Sequence, residues 1–431
     1  MPIVSLLIIL ILLFALFETP IFTIIAAVSV VLFYTVDFDF QALQTILIEL
    51  NRLASMPILV ALPLFTLTGC ILTETKAPQR VMNIVQALIG WLPGGLAIAA
   101  LVSCAFFTAL TGASGVTIVA LGSILYPILR EHHYNEYFSL GLVTTSGSLG
   151  LLFPPSLPVI LYGVVAQVDI GQAFSAALIP GILLVVILAG YAVVHEAMRK
   201  GKEMESPAKD NFSWTKLLQA FWQGKWEWPV VIIILTGVYG GFVTIAEVSA
   251  LVLVYVIVVE CFVLNEINFF RQLPGIMVEA ALFSGAIIVI LGMALGFTGY
   301  LVDEQIPNRI LHTLTELTSN RYLFLAGLNV FLLAVGCIMD IFSAIVIIVP
   351  IIVPIAISYG IDPLHLCVIF LVNLEMGYST PPVGINLFIS SLRFDKSVTT
   401  LYRASIPYLI LLFIVLMMVT YIPFLSLWNR I

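Results

Sequence analysis

Long apolar segments separated by short polar turns run through this sequence from end to end. A helix needs about 20 mainly apolar residues to cross a bilayer, and its backbone polar groups must be paired within the membrane. Cut at Pro, Gly and charged residues, the segments give ten candidate spans, at residues 2–17, 20–36, 53–72, 137–165, 174–198, 228–243, 246–262, 276–301, 364–390 and 404–427. The pattern predicts an all-α polytopic membrane protein.

The composition excludes a soluble enzyme and a nucleic-acid-binding protein. Hydrophobic residues make up 61% of the 431 residues and charged residues 10%, against roughly 45–50% and about 25% in soluble proteins. The net charge of −7 leaves no excess of Lys and Arg to neutralise phosphates. The run 2–17 lacks the basic start and small-residue cleavage site of a signal peptide, so it is predicted to be the first span.

The distribution of basic residues predicts the orientation in the membrane. With the N-terminus outside, 13 of the 17 Lys and Arg lie on the cytoplasmic side, as the positive-inside rule requires. The polar stretch 199–227 carries six of them, and Leu217, Leu218, Phe221 and Trp222 within it fall at helical spacing. It is predicted to form an interfacial cytoplasmic helix. Two shorter amphipathic pieces, 41–52 and 265–274, are predicted to be arms in the membrane plane.

An internal repeat is the most informative feature of the sequence. GLLFPP at 150–155 recurs as GYSTPP at 377–382, and the same shift of 227 residues pairs Pro127 with Pro354. Between two further interrupted apolar stretches, 81–129 and 310–357, lie five candidate spans, at 137–165, 174–198, 228–243, 246–262 and 276–301. Because this number is odd, the halves are predicted to be inverted repeats, at 1–198 and 228–431, joined by the linker 199–227. Inverted repeats with interrupted helices are typical of secondary transporters.

The Pro pairs predict broken helices at 137–165 and 364–390, since Pro removes N–H donors and disfavours helix at the preceding residue. A single Pro is typical of a kinked helix, whereas two matched pairs flanked by small hydroxylated residues favour a cation or carboxylate site. Two further stretches, 81–129 and 310–357, are interrupted by TALTGASG (108–115) and VGCIMD (335–340). Each is either two crossings or one re-entrant hairpin.

Four segments resemble the large membrane subunit of TRAP transporters, the DctM-like family within the ion transporter superfamily. They are TGASGVTIVALGSILYPIL (111–129), GSLGLLFPPSLPVILYGVVA (147–166), MDIFSAIVIIVPIIVPI (339–355) and NLEMGYSTPPVGINLF (373–388). The resemblance implies an elevator-type protein of the bacterial inner membrane, in which hairpins and broken helices form a mobile transport domain against a scaffold. It also implies sodium coupling, a periplasmic substrate-binding protein, a separate small four-helix membrane subunit and a periplasmic N-terminus.

The resemblance also implies site positions, with Na⁺ as the coupling ion and neither a transition metal nor an organic cofactor. The predicted sodium-binding residues are Ser103, Thr111, Gly112, Ser114, Ser146, Gly147, Gly336, Asp340 and Thr380. The predicted substrate-binding residues are Ser148, Pro154, Pro155, Ser343, Asn373, Glu375, Pro381 and Pro382.

Asp340 and Glu375 lie inside apolar runs, where a charge costs a few kcal/mol unless it is paired. Such residues are functional by default. The structural alternative for Asp340 is a helix cap, and for Glu375 it is hydrogen bonding at the helix break. No Lys or Arg falls in the predicted site, so helix ends, hydroxyls, amides or bound cations must meet the substrate's charge.

The sequence leaves three alternatives to TRAP-type uptake. GASG (112–115) fits the G-x-S-G of intramembrane serine proteases, but Ser114 then needs a histidine base at its depth. A scaffold for partner proteins does not account for the repeat. An anion symporter of the same superfamily working without a binding protein is the nearest alternative. Sialic acid is the favoured substrate by resemblance, and a C4-dicarboxylate is next.

Overall fold

The computed structural model describes residues 21–37, single positions between 44 and 53, and residues 55–200, 213–240 and 243–429. Within these ranges the chain is helical with no strand, which confirms the all-α prediction. The predicted span 2–17 and most of the predicted arm 41–52 lie outside them. The helices are α1 Ile21–Asp37, α2 Ala61–Thr73, α3 Ala77–Ile89, α4 Gly95–Thr111, α5 Ser114–Glu131, α6 Glu136–Ser146, α7 Leu157–Ala166, α8 Ile170–Lys200, α9 Trp214–Gln223, α10 Trp228–Gly240, α11 Ile245–Val258, α12 Leu273–Asp303, α13 Ile306–Leu317, α14 Arg321–Ile338, α15 Ile341–Ser358, α16 Pro363–Gly377, α17 Ile385–Phe394, α18 Val398–Tyr421 and α19 Phe424–Leu427.

Among the described residues, six helices are long and apolar enough to cross a membrane, or seven if one bent pair counts as a span. Most of the remaining predicted spans correspond to shorter apolar helices, such as α2, α10 and α16. The protein is therefore a polytopic membrane protein, and several of its apolar helices are shorter than the sequence runs that contain them.

The two predicted hairpin stretches contain a helix break where the sequence indicated one, but their helix pairs start later than predicted. α4 and α5 are separated by Gly112 and Ala113, and α14 and α15 by Met339 and Asp340. The starts of the stretches 81–129 and 310–357 belong instead to the separate helices α3 and α13. The predicted stretches continue past the ends of α3 and α13. Hydropathy alone therefore does not separate α3 from α4, or α13 from α14.

Both Pro pairs lie in breaks, as predicted. α6 ends at Ser146, a 3₁₀ turn covers Leu149–Leu152, and α7 continues after a bend of 44°. In the second half, α16 ends at Gly377 and α17 starts at Ile385. The bonds Pro154-Pro155 and Pro381-Pro382 are both cis.

Helices from the two halves of the chain pack against each other in matching pairs. α5 packs on α17, and α15 packs on α7. Further out, α1 packs on α12, and α2 on α11. Two buried tyrosines tie the core together, since Tyr162 donates to the carbonyl of Pro363 at 2.9 Å and Tyr408 to that of Phe138 at 2.8 Å.

Within the predicted linker 199–227 the structure has the helix α9, Trp214–Gln223, whose buried side differs from the one its apolar residues indicated. α9 buries Leu217 and Ala220, whereas Leu218 and Trp222 are 70% and 72% exposed. The predicted arm 265–274 contains no amphipathic helix, because the chain forms turns there until α12 begins at Leu273.

The first Gly of each G-x-x-x-P-P motif lies where two backbones cross closely. A Cβ on Gly150 would sit 2.2 Å from the carbonyl oxygen of Ala105 in α4. A Cβ on Gly377 would sit 2.5 Å from the carbonyl carbon of Gly336 in α14. Each helix break is therefore packed against the first helix of the adjoining pair at a contact that only glycine permits.

We expect Gly377→Ala to destabilise the protein by about 1–3 kcal/mol, because the added methyl overlaps the backbone of α14. The control is Gly327→Ala in α14, where a Cβ meets nothing within 4 Å. Thermal unfolding of the purified protein in detergent measures both. An equal unfolding temperature for the two variants contradicts the close crossing.

Candidate functional site

The first break is joined to the first helix pair by a cluster of oxygen atoms around Thr108. Its Oγ1 lies 2.8 Å from Thr117 Oγ1, from the Gly147 carbonyl and from the Cys104 carbonyl. Because a hydroxyl carries one proton, it can donate to only one of these acceptors at a time. The cluster is an oxygen-rich point with no charged group in it.

Thr108 and Thr117 are absent from the predicted site. Thr108 is three residues before the end of α4, and Thr117 is three residues after the start of α5. Their contact shows that α4 and α5 run back on each other at this tip. In the sequence, Thr108 lies three residues before Thr111-Gly112, and Thr117 lies three residues after Ser114-Gly115. This equal spacing indicates a contact between the two threonines only if the chain is known to fold back at the tip.

The structure brings most of the first predicted set together. Gly112 has φ +68°, a left-handed conformation that favours glycine, and a Cβ there would meet the Leu157 side chain at 2.6 Å. A Cβ on Gly147 would lie 3.3 Å from the Ser114 carbonyl oxygen, so the tip and the break are in contact. Thr111 is buried beside them.

Three hydroxyls of the predicted set point elsewhere. Ser103 contacts Met82 Sδ on α3 at 3.5 Å rather than the tip. Ser146 donates to the Val143 carbonyl at 3.3 Å, and Ser148 to that of Thr145 at 3.2 Å. Ser103 is thus separated from the tip because its helix face is turned towards α3.

Asp340 caps the second tip. Its Oδ1 accepts hydrogen bonds of 3.0 Å from the backbone N–H groups of Phe342 and Ser343, and its Oδ2 accepts one from the Ser343 hydroxyl. Asp340 therefore makes the contacts of a helix N-cap, the structural alternative given for it. Tyr378, which sequence reasoning missed, accepts a hydrogen bond from the backbone N–H of Ile341.

The second break lies against this tip, since the Gly384 N–H donates to the Cys337 carbonyl at 3.2 Å. Thr380 donates to the Met376 carbonyl at 2.8 Å and so continues the turn after α16. Pro381 and Pro382 are exposed, whereas Pro155 in the first break is buried. The two breaks therefore differ in how they are covered.

Two hydrogen bonds link the first half of the chain to α17 in the second half. Ser114 donates to Asn386 Oδ1 on α17 at 2.7 Å, and Thr144 donates to Ser390 on the same helix at 2.9 Å. Asn386 Nδ2 is buried without a hydrogen-bond partner among the described residues. An unpaired amide N–H₂ at this position is available to an acceptor such as a carboxylate.

Asn373 and Glu375 differ although they share α16. Asn373 donates to Asn329 Oδ1 and to the Ile369 carbonyl, both at 2.8 Å, so it belongs to a network with α14. Glu375 is 1% exposed, and neither carboxylate oxygen has a hydrogen-bond partner among the described residues. The alternative that Glu375 is hydrogen-bonded structurally at the helix break therefore finds no support among the described residues.

The contacts of Ser114 do not resemble a hydrolase. Its partner is an amide oxygen, and no described histidine is hydrogen-bonded to it. The arrangement instead offers neutral hydroxyl and carbonyl oxygens at one break and carboxylates at the other, the ligand types of hard cations.

Comparison with known proteins gives consistent results. The family described as "Tripartite ATP-independent periplasmic transporter, DctM component" matches residues 7–425. The chain is 35% identical over 390 residues to the C4-dicarboxylate TRAP transporter large permease protein DctM of Pseudomonas aeruginosa, covering 90% of each chain. It is 34% identical over 403 residues to the isethionate TRAP transporter permease protein DctMQ of Oleidesulfovibrio alaskensis, which covers 93% of this chain and 61% of that relative.

Among solved structures, the crystal structure of the Alcanivorax borkumensis YdaH transporter shares the fold. The TM-score is 0.66 at 13% sequence identity, over 97% of this chain and 98% of that one. The relatives are named as permeases, which are transporters rather than enzymes.

The Ser114–Asn386 hydrogen bond is expected to couple the halves by about 0.5–1.5 kcal/mol in a double-mutant cycle of Ser114→Ala and Asn386→Ala. The free energy of unfolding in detergent is the measured quantity. As a control, Ser114→Ala with Asn329→Ala should be additive, because Asn329 bonds to Asn373 and Thr420 instead. Additivity in both cycles contradicts the bond.

Proposed function

Because this chain belongs to the DctM component family of the tripartite ATP-independent periplasmic transporters, we propose that it carries out sodium-coupled uptake of a small carboxylate across the bacterial inner membrane. A periplasmic binding protein delivers the substrate, and a separate small membrane subunit completes the assembly. The observation that carries the proposal is the pair of helix breaks, each packed against the tip of a helix pair.

The two halves act as inverted repeats in this proposal. Support comes from the exchanged packing of α5 on α17 and α15 on α7. The motif glycines Gly150 and Gly377 add support, because each packs against the first helix of the neighbouring pair. With this symmetry, the tips and breaks move as one transport domain against a scaffold that includes α1, α2, α11 and α12, as in an elevator.

Sodium binds at each break in the proposal. At the first, Thr108, Thr117 and the Gly147 carbonyl supply neutral oxygens beside the predicted Thr111, Gly112 and Ser114. At the second, Asp340, Ser343, Gly336 and Thr380 surround the tip, and Glu375 adds a buried carboxylate. Neutral oxygens hold sodium without titrating, so the first site favours sodium over a proton as the coupling ion.

The substrate carboxylate binds between these two sites. The Asn386 amide and the N-terminal ends of α7 and α17 offer N–H donors there without a basic side chain. Three relatives, at 31–35% identity, are named for C4-dicarboxylates, which makes a C4-dicarboxylate the first compound to test. Sialic acid, favoured by the sequence resemblance, is the second.

Replacing Asp340 by Asn should raise the sodium concentration for half-maximal uptake by about tenfold, because ligand charge tunes cation affinity. Asn is also a good helix cap, so α15 should keep its N-terminus. The matched control is Asp395→Asn, which removes an exposed carboxylate directly after α17, in a left-handed conformation that Asn tolerates. An unchanged sodium response in Asp340→Asn removes Asp340 from the site, and equal uptake driven by a pH gradient without sodium refutes sodium coupling.

Uptake by proteoliposomes is expected only when the chain is reconstituted with its small subunit and supplied with the binding protein. Radiolabelled C4-dicarboxylate and sialic acid are tested in parallel, each with its cognate binding protein. Uptake at full rate by the chain alone would instead favour the alternative, an anion symporter that works without a binding protein.

A further inference from the structure

An apolar crevice separates α4 from α10. It has two sections of about 300 and 360 Å³, which share Val102, Phe106 and Val231. One section reaches the first helix break at Phe153 and Pro154. The other ends at Glu227 and Trp228, where α10 begins.

The crevice matches a hydrocarbon chain in chemistry and length. No residue lining the first section is charged or hydroxylated, and Glu227 is the one charged residue lining the second. From Trp228 to Leu235 the wall formed by α10 covers eight residues, a length of about 10 Å at a rise of about 1.5 Å per residue. This length accommodates a substantial part of a lipid acyl chain.

The crevice opens to the surroundings of the apolar helices. Ile182, Val186 and Leu235 line it and are 48%, 58% and 44% exposed. In a membrane, those surfaces face lipid, and filling an apolar space with hydrocarbon is favourable where filling it with water is not. Lipid is thus the molecule that both reaches the crevice and suits its walls.

The end of the crevice at Glu227 and Trp228 is rich in carboxylates. Glu227, Glu260 and Glu266 all pair with the Arg80 guanidinium, so three carboxylates share one guanidinium at this end. Trp228 Nε1 is a buried donor without a hydrogen-bond partner among the described residues. This end attracts an ammonium group, repels an anionic headgroup and offers an N–H to a phosphate or ester oxygen.

We propose that the crevice is a binding site for one phospholipid with a primary ammonium headgroup, such as phosphatidylethanolamine. One acyl chain lies between α4 and α10 and reaches Phe153 and Pro154, and the headgroup lies at Glu227 and Trp228. The lipid fills the space between the first helix pair and α10.

The test is mass-spectrometric measurement of lipid retained by the purified full chain after mild detergent extraction from membranes containing phosphatidylethanolamine and phosphatidylglycerol. Val102→Trp fills the crevice where its sections meet and is expected to lower retained phosphatidylethanolamine by about tenfold. Val231→Trp fills it from the opposite wall and guards against a folding defect in the first variant. The control is Val254→Trp, on a side chain of α11 that is 62% exposed and lines neither section.

The expected result is loss of phosphatidylethanolamine in both crevice variants and retention in the control, with monodisperse protein throughout. Retention equal to the control in either well-folded crevice variant overturns the site. Equal retention of phosphatidylglycerol overturns the headgroup placement. Loss of the lipid when the small membrane subunit is co-purified shows that the subunit's side chains fill the crevice, and it also overturns the proposal.

Discussion

The fold depends on one constraint, that backbone polar groups released by a broken helix inside a membrane must find partners. Each Pro pair opens a helix, and in each case the tip of a neighbouring helix pair closes on the opening. At the first break the Thr108 hydroxyl lies 2.8 Å from the Gly147 carbonyl, and at the second the Gly384 N–H donates to the Cys337 carbonyl at 3.2 Å. Such contacts need backbones to approach closely, which explains why Gly150 and Gly377 occupy the crossings.

The two breaks share this construction but differ in chemistry. The first is lined by hydroxyls and carbonyls, whereas the second carries Asp340 at a helix N-terminus and Glu375 buried without a hydrogen-bond partner among the described residues. A buried carboxylate is costly unless a proton or cation neutralises it. The two breaks therefore offer different ligand types, neutral oxygens at the first and carboxylates at the second.

Away from the breaks, ion pairs hold α3 in place. Arg80 on α3 pairs with Glu227 just before α10, Glu260 just after α11 and Glu266 in the turn before α12. Removing the one guanidinium would leave three carboxylates close together and largely buried, which is strongly unfavourable. α3 is therefore fixed to these helices immediately before the chain enters the first helix pair.

The sequence by itself determined where helices exist and where they break, because apolar run length, Pro pairs and Gly act locally. Local sequence motifs predict the helix breaks near Gly112 and Asp340 and at the two Pro pairs. They also indicate the family. Only the tertiary structure decided which side chains meet. Ser103 contacts Met82, Thr108 contacts Gly147, and Asn386 Oδ1 accepts a hydrogen bond from Ser114, 272 residues away in the sequence. These pairings depend on how each helix is rotated against distant neighbours, and apolar helices with few polar residues carry little sequence pattern to fix that rotation.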